Sequence, residues 1–169
     1  MDKNRLFCLV ALATITLSAC TIKKPPQNLA IKARGSFDEK SMGIVVESSL
    51  PKNAKLNFIV KDEDLNKTIY ETTFKTDKDG SLNKKISFEV GKRNLTSKLL
   101  FNPDEQGKEI QDKFGKYGQN IRSNAVGYSV SKKNKEKYAY IQLYGTFLKL
   151  GTMSNAGDIF FSKQIIEIE

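Results

Sequence analysis

The sequence predicts a mostly β protein, folded as an antiparallel sandwich or barrel with one short helix. Short runs of residues alternate between apolar and polar types, which is the pattern of strands with one buried face. Residues that favour turns separate these runs at short intervals, as they do in antiparallel sheets. Both signals begin near residue 29, so we predict a single domain over 29–169 and a different role for the residues before it.

Residues 1–19 have the three-part layout of a secretory signal peptide. A short charged start leads into an apolar run from Leu6 to Leu17, and small residues follow it. A membrane-spanning helix needs roughly 20 apolar residues to cross about 30 Å of hydrocarbon, and this run is shorter. We therefore expect the segment to be a signal helix that is cleaved.

The junction after this segment reads Leu17-Ser18-Ala19-Cys20, which resembles the lipobox of bacterial lipoproteins. The resemblance implies that the Cys20 thiol receives a diacylglyceryl group, with or without further N-acylation, and that Cys20 becomes the first mature residue. Two acyl chains give stable attachment to a bilayer, whereas one chain binds only marginally. The alternative is an ordinary signal peptide with a cysteine there by chance.

The lipobox implies a location and a first partner. The chain is expected at the extracytoplasmic face of the cell membrane, held in the lipid bilayer through Cys20, or at the outer membrane in a Gram-negative host. Residues 20–28 include Pro25-Pro26, which favours extended polyproline II structure. We predict that they form a lipidated flexible tether, whose eight residues after Cys20 could hold the domain about 25 Å from the membrane at roughly 3.1 Å per residue.

The elements of the domain follow from the same alternation. Strands are predicted around residues 29–34, 42–46, 56–60, 70–74, 86–90 and 98–102. A short helix is predicted near 103–114, where Asn102 is a favourable N-cap and Pro103 suits the first helical position. Ile110 and Phe114 then fall on one face of that helix.

The last third of the chain predicts a hairpin and a closing strand. The hairpin strands are 126–130 and 138–144, joined by a lysine-rich turn at 132–137. After a loop at 151–157, residues 160–168 are predicted to close the sheet.

A second resemblance concerns the fold. The pattern LPKNAKLNFIV…DGSLNKKISF…LLFNPDEQ…FGKYGQNI, within residues 29–122, resembles a group of small lipoproteins, mostly from Gram-positive bacteria. The resemblance implies an antiparallel immunoglobulin-like β-sandwich. It transfers no activity to particular residues, because its elements are turn residues and strand patterns.

Composition limits the chemistry of the chain. Its formal net charge is +9, and it contains no histidine. Without histidine, no Ser-His-Asp triad and none of the usual zinc, iron or copper ligand sets can form. We expect no catalytic residue, no metal and no cofactor apart from the lipid on Cys20. The positive charge favours an anionic polymer or an envelope protein as a further partner, and nucleic acid is not expected outside a cytoplasmic membrane.

Two local patterns suggest candidate sites, each with a structural alternative. Tyr138, Tyr140 and Tyr144 should project from one face of a strand, where they either form a carbohydrate or peptide platform or pack across strands. Residues 62–66 have the oxygen spacing that opens a calcium loop, but Lys67 stands where that loop needs glycine. We interpret these residues as a polar hairpin turn.

These observations together predict a membrane-anchored lipoprotein of the cell envelope that acts as a non-catalytic binding or interaction module. The alternative is a structural or assembly subunit of an envelope complex. A hydrolase that works without histidine is less favoured, because paired acids such as Asp104 and Glu105 are explained by the charge preference of a helix N-terminus.

Overall fold

The computed structural model describes residues 24–91, 93–150 and 156–164. The predicted signal peptide, the lipobox with Cys20 and the first residues of the tether lie outside this part of the chain. So do most of the predicted loop at 151–157 and the second half of the predicted closing strand.

The described residues form nine strands, one turn of 3₁₀ helix and one short α-helix. In chain order the strands are β1 (Ile31–Phe37), β2 (Ser41–Ser48), β3 (Lys55–Asp62), β4 (Lys67–Lys75), β5 (Leu82–Ser87), β6 (Leu95–Phe101), β7 (Tyr128–Lys133), β8 (Glu136–Lys149) and β9 (Gly157–Ser162). The 3₁₀ turn (Pro103–Glu105) and α1 (Lys108–Phe114) lie between β6 and β7. The prediction of a mostly β chain with one short helix is confirmed.

All of these strands belong to one continuous antiparallel sheet. Its order is β4-β3-β6-β8-β9-β1-β2-β5, and β7 pairs with the first half of β8. At 14 residues, β8 is long enough for β7 and β9 to pair along successive parts of one edge while β6 pairs along the other. The antiparallel prediction is confirmed, and the finer immunoglobulin-like assignment stays a prediction.

The core is enclosed by the inner face of this sheet. Every second residue is buried in the central strands, and in β2 and β3 these are Met42, Ile44, Val46, Leu56, Phe58 and Val60. Residues from the β4 side and from the β5 side of the sheet belong to one buried cluster. The sheet must therefore curl around that cluster. The curl brings Tyr70 of β4 within 5.6 Å of the Phe88 ring just after β5, which makes the fold nearly barrel-like.

The segment predicted as one helix is divided into two short elements. Between the 3₁₀ turn and α1, Gln106 is held in extended backbone geometry. Its side-chain amide accepts from the Lys55 N–H (2.8 Å) and donates to the Lys55 carbonyl (3.0 Å), which pins the chain to β3 and interrupts the helix. Ile110 and Phe114 are buried on one face as predicted. No helix in the described ranges is long and apolar enough to cross a bilayer.

Residues 24–28, which the sequence assigns to the tether, are hydrogen-bonded to the domain. The Gln27 N–H donates to the Asn120 carbonyl (2.6 Å), and the Arg122 N–H donates to the Gln27 carbonyl (3.1 Å). The ammonium group of Lys24 donates to the carbonyl of Asp112 in α1 (2.7 Å). Of the predicted tether, only residues 20–23 therefore precede this attachment.

The loop after α1 approaches β8 closely. The Ala139 N–H donates to the Tyr117 carbonyl (2.9 Å), and Gly118 has a φ of +72°. A Cβ atom at Gly118 would overlap the Ala139 carbonyl oxygen. Glycine is required at this position both for its backbone conformation and for its lack of a side chain.

Gly118→Ala should therefore lower the free energy of unfolding by at least about 2 kcal/mol, through backbone strain and steric overlap. Gly107→Ala is the matched control, because φ at Gly107 is −65° and a Cβ atom there would meet nothing within 4 Å. Urea denaturation followed by circular dichroism measures both variants. Equal stabilities for the two would contradict this account of the loop.

Candidate functional site

The three tyrosines of β8 lie on one side of the strand but are not equally accessible. Tyr138 is 6% exposed, whereas Tyr140 and Tyr144 are half-buried. The rings of Tyr138 and Tyr140 stack with their centroids 5.7 Å apart. Tyr144 lies farther along the strand, where the ammonium group of Lys98 on β6 is 5.5 Å from its ring centroid. The tyrosine surface open to a ligand is thus limited to Tyr140 and Tyr144.

Tyr138 is covered because the 3₁₀ turn reaches its hydroxyl group. The hydroxyl donates to Asp104 Oδ1 (2.6 Å), and Lys133 of β7 forms an ion pair with the other oxygen of that carboxylate. Burial acts to raise the pKa of Asp104, but the bonds from Lys133 and Tyr138 outweigh it and hold the pKa below its usual value. Burial, and then the bond to Asp104, raise the pKa of Tyr138, so its hydroxyl stays protonated and donates.

Residues 62–66 form a tight turn between β3 and β4. The Leu65 N–H donates to Asp62 Oδ1 (3.0 Å), and Asn66 has a φ of +50°. The Asp62 side chain is 1% exposed because it follows the inward alternation of β3. In the described part of the chain, no three His, Cys, Asp or Glu side chains come together as a metal site.

A second surface is produced by the register of four neighbouring strands, β9, β1, β2 and β5. In that strand order, one row across the outer face contains Asp158, Ser36, Gly43 and Lys85, and the next row contains Phe160, Arg34, Val45 and Asn83. Small residues occupy the middle of the first row, with longer charged side chains at its ends. The rows border a shallow depression of about 450 Å³, which we call the outer trough.

The outer trough has Asp158 at one side and Lys85 at the other, and Asp38 and Arg34 also line it. Asp158 and Lys85 are three strand spacings apart, which is about 14 Å. A Cβ atom at Gly43 would lie 3.3 Å from Ser36 Oγ with open space above, so any larger side chain there would fill the floor. Phe160 is 50% exposed beside Arg34 and adds an apolar contact surface. This arrangement suits a ligand that carries both a positive and a negative group.

Sequence reasoning misses the outer trough, because its residues come from four separate segments between residues 34 and 160. Only the strand register brings them together. One local signal was available: Gly43 interrupts an alternating strand, and a glycine there is typical of a bulge or of a close approach to the backbone. That signal does not reveal which other residues surround the glycine.

Comparison with known proteins finds no family model, no curated relative and no solved structure that matches this chain.

Tyr138→Phe should lower the free energy of unfolding by about 1–2 kcal/mol, because a buried hydrogen bond to a charged group is lost. Tyr140→Phe is the control: the neighbouring ring is kept, and the described residues offer its hydroxyl no hydrogen-bond partner. Chemical denaturation at neutral pH should separate the two variants. Two indistinguishable midpoints would show that the Tyr138 hydroxyl bond does not stabilise the fold.

The effect of Tyr138→Phe should also depend on pH. Because the folded-state pKa of Asp104 lies below its ordinary value of 3.8, the carboxylate stabilises the fold at higher pH. That stabilisation is lost as the pH falls through the lowered pKa. The difference in stability between wild type and Tyr138→Phe should therefore shrink in acid. A difference that stays constant into strong acid would contradict the role of the charged carboxylate.

Proposed function

We propose that the chain is a lipid-anchored, non-catalytic binding module of the cell envelope, held in the membrane through Cys20. The observation that carries the proposal is the lipobox resemblance of Leu17-Ser18-Ala19-Cys20. Residues 21–23 separate Cys20 from Lys24, which is already bonded to α1. The four residue steps from Cys20 to Lys24 span at most about 14 Å, so this anchor would keep the domain nearer to the bilayer than a fully free tether would.

The proposal includes the immunoglobulin-like sandwich as the finer description of the fold. It is supported by two four-stranded halves, β4-β3-β6-β8 and β9-β1-β2-β5, whose inward residues share one buried cluster. The ladder between β8 and β9 joins the halves by hydrogen bonds, which is a barrel-like feature in an otherwise sandwich-like arrangement.

The outer trough is the ligand surface we favour. Its side chains stand on strands rather than on loops, so the positions of Arg34, Lys85 and Asp158 are set by the sheet. A short peptide with free termini matches its charges, since a carboxylate can reach Lys85 or Arg34 and an amine can reach Asp158. The half-buried pair Tyr140 and Tyr144 offers a smaller second surface.

The two other functions have less support. An assembly subunit could add a strand to the edge of β7 that is unpaired within the described residues. Lys132 and Lys133 lie on that strand, however, and charged edge residues oppose strand addition. For a hydrolase, the acids Asp104 and Glu105 would have to leave existing hydrogen bonds, among them the one from Asn57 Nδ2 to Glu105 (2.6 Å).

Anchoring is tested by the full chain expressed in a bacterial host. The wild-type protein should sediment with membranes, and its intact mass should correspond to a chain that starts at a diacylglyceryl-modified Cys20. Cys20→Ser should carry no lipid. When the membranes are washed under conditions that leave the wild-type protein bound, this variant should be released. Cys8→Ser is the matched control, because that cysteine lies in the segment predicted to be removed. An unmodified wild-type chain that starts elsewhere would overturn the proposal.

Ligand binding at the outer trough is tested by nuclear magnetic resonance with a mixture of short zwitterionic peptides. The backbone signals of Ser36, Gly43 and Asp158 should shift on titration. The variant Lys85→Gln with Asp158→Asn removes both end charges and should bind the peptides at least tenfold more weakly, as expected for the loss of one or two ion-paired contacts. The control pair Lys32→Gln with Glu47→Gln removes the same two charges from neighbouring β1–β2 positions. Shifts confined to Tyr140 and Tyr144 would assign binding to the tyrosines instead.

A further inference from the structure

The two ends of the sheet differ in charge. The strand directions place the start of β1, the end of β6 and the start of β8 at one end, so α1 and the β7–β8 turn share that end. Residues 102–137 include α1 and this turn, and they contain eight lysines and arginines against five acidic residues, while the loops 49–54 and 76–81 at the same end add two basic and two acidic residues. The described charged loop residues at the opposite end, within 38–40, 63–66, 88–91 and 93–94, are five acidic and two basic residues.

Several of these basic side chains have no partner of opposite charge. Lys108 pairs with Asp112 (3.1 Å), and Lys133 pairs with Asp104. Five exposed lysines of the same region take part in no ion pair among the described residues: Lys113, Lys116, Lys132, Lys135 and Lys137. We call these five lysines the basic end.

The parts of the basic end are held together by backbone contacts. The bond between Ala139 and the Tyr117 carbonyl fixes the loop of Lys116 beside the base of the β7–β8 hairpin. The hairpin has a two-residue turn, in which Asn134 and Lys135 both take positive φ values. The backbone that carries these lysines is therefore attached to the sheet by regular hydrogen bonding.

The chain leading to Cys20 leaves the domain at this same end. Lys24 is bonded to the carbonyl of Asp112, the residue before Lys113. With Cys20 at most about 14 Å along the chain from Lys24, a lipidated Cys20 would bring the basic end to the membrane surface. Lysines close to an anionic surface each contribute roughly fivefold to binding, and the attraction fades beyond a Debye length of about 8 Å at physiological salt.

We propose that the basic end lies against the anionic headgroups of the membrane in which the chain is anchored, and so sets the orientation of the domain. The inference rests on the proposed anchoring at Cys20. The five lysines lie away from the outer trough, so the ligand binding proposed there gives them no function. Contact with headgroups would give them one. Lipid headgroups are favoured over a soluble polyanion because the anchor delivers this end, and not the acidic one, to the bilayer.

The test uses the full lipidated protein, purified from membranes and reconstituted into vesicles of phosphatidylcholine with or without phosphatidylglycerol. A fluorophore on Ser131→Cys reports the basic end, and one on Leu65→Cys reports the opposite end, where Leu65 is 69% exposed. The wild-type Cys20 carries the lipid and so does not react with the label. A quencher attached to lipid headgroups then measures how close each position lies to the surface.

The expected result is strong quenching at Ser131→Cys and weak quenching at Leu65→Cys in vesicles with phosphatidylglycerol. The contrast should fall at about 1 M salt, where the Debye length is about 3 Å. Replacing Lys132, Lys135 and Lys137 by Gln should lower the ratio of docked to undocked protein by roughly a hundredfold. Replacing Lys40, Lys67 and Lys149 by Gln is the control: the charge change is equal, but it falls at the other end.

Each remaining outcome counts against a specific claim. Failure to associate with neutral vesicles overturns the anchoring and this inference with it. Association with equal quenching at both positions leaves the anchoring in place and overturns the role of the basic end. Protection of Ser131→Cys only on addition of soluble polyphosphate would assign the lysines to a polymer instead, and would also overturn the inference.

Discussion

The two halves of the sheet are joined through the backbone ladders of one long strand, β8, and the side chains around the join are closely packed. Near the middle of β8, Gly145 faces the core opposite Ser97 of β6 and Phe161 of β9. A Cβ atom at Gly145 would overlap Ser97 Oγ and approach Ile159 to 3.0 Å. A larger residue would have to displace these side chains from the inner face of the sheet. The core is therefore closely packed at this point, with no room left for a side chain on β8.

The continuity of the sheet fixes the relative positions of the functional surfaces. The row of the outer trough that contains Ser36 and Gly43 lies near the end of β1, whereas the chain enters the domain at the start of β1. Five residues of strand separate Ser36 from Ile31, which is about 17 Å. With the anchor and the basic end as proposed, the outer trough is directed away from the bilayer and toward the envelope, where a peptide ligand would be found.

Most strands could be predicted from the sequence, because alternation is a local property of a sheet with one buried face. The error at β5 is instructive. The apolar alternation continues through Ile86, Phe88 and Val90, and Val90 is indeed buried, but the strand ends at Ser87. Its partner β2 begins at Ser41, and only one more bond, from the Phe88 N–H to the Lys40 carbonyl (3.0 Å), continues the pairing before the turn at 38–40. The apolar alternation indicates which residues are buried. Where a strand ends also depends on the length of its partner strand, which the alternation does not reveal.

The candidate sites were predictable only in part for the same reason. The two-residue alternation of a strand predicts that Tyr138, Tyr140 and Tyr144 lie on the same face. It does not predict that Tyr138 is covered, because the covering residue, Asp104, belongs to the 3₁₀ turn. The outer trough requires four strands in register, which no short stretch encodes. The split of the helix similarly depends on the bond between Gln106 and Lys55 on β3.

The claim that β8 joins both halves into one unit is tested most directly by native-state hydrogen exchange in increasing denaturant. The account predicts that the slowest amides of β3 and of β2, one strand from each half, converge on the same free energy of opening. Exchange of β9, β1, β2 and β5 through a separate opening of lower free energy, while β3 and β6 stay protected, would contradict it.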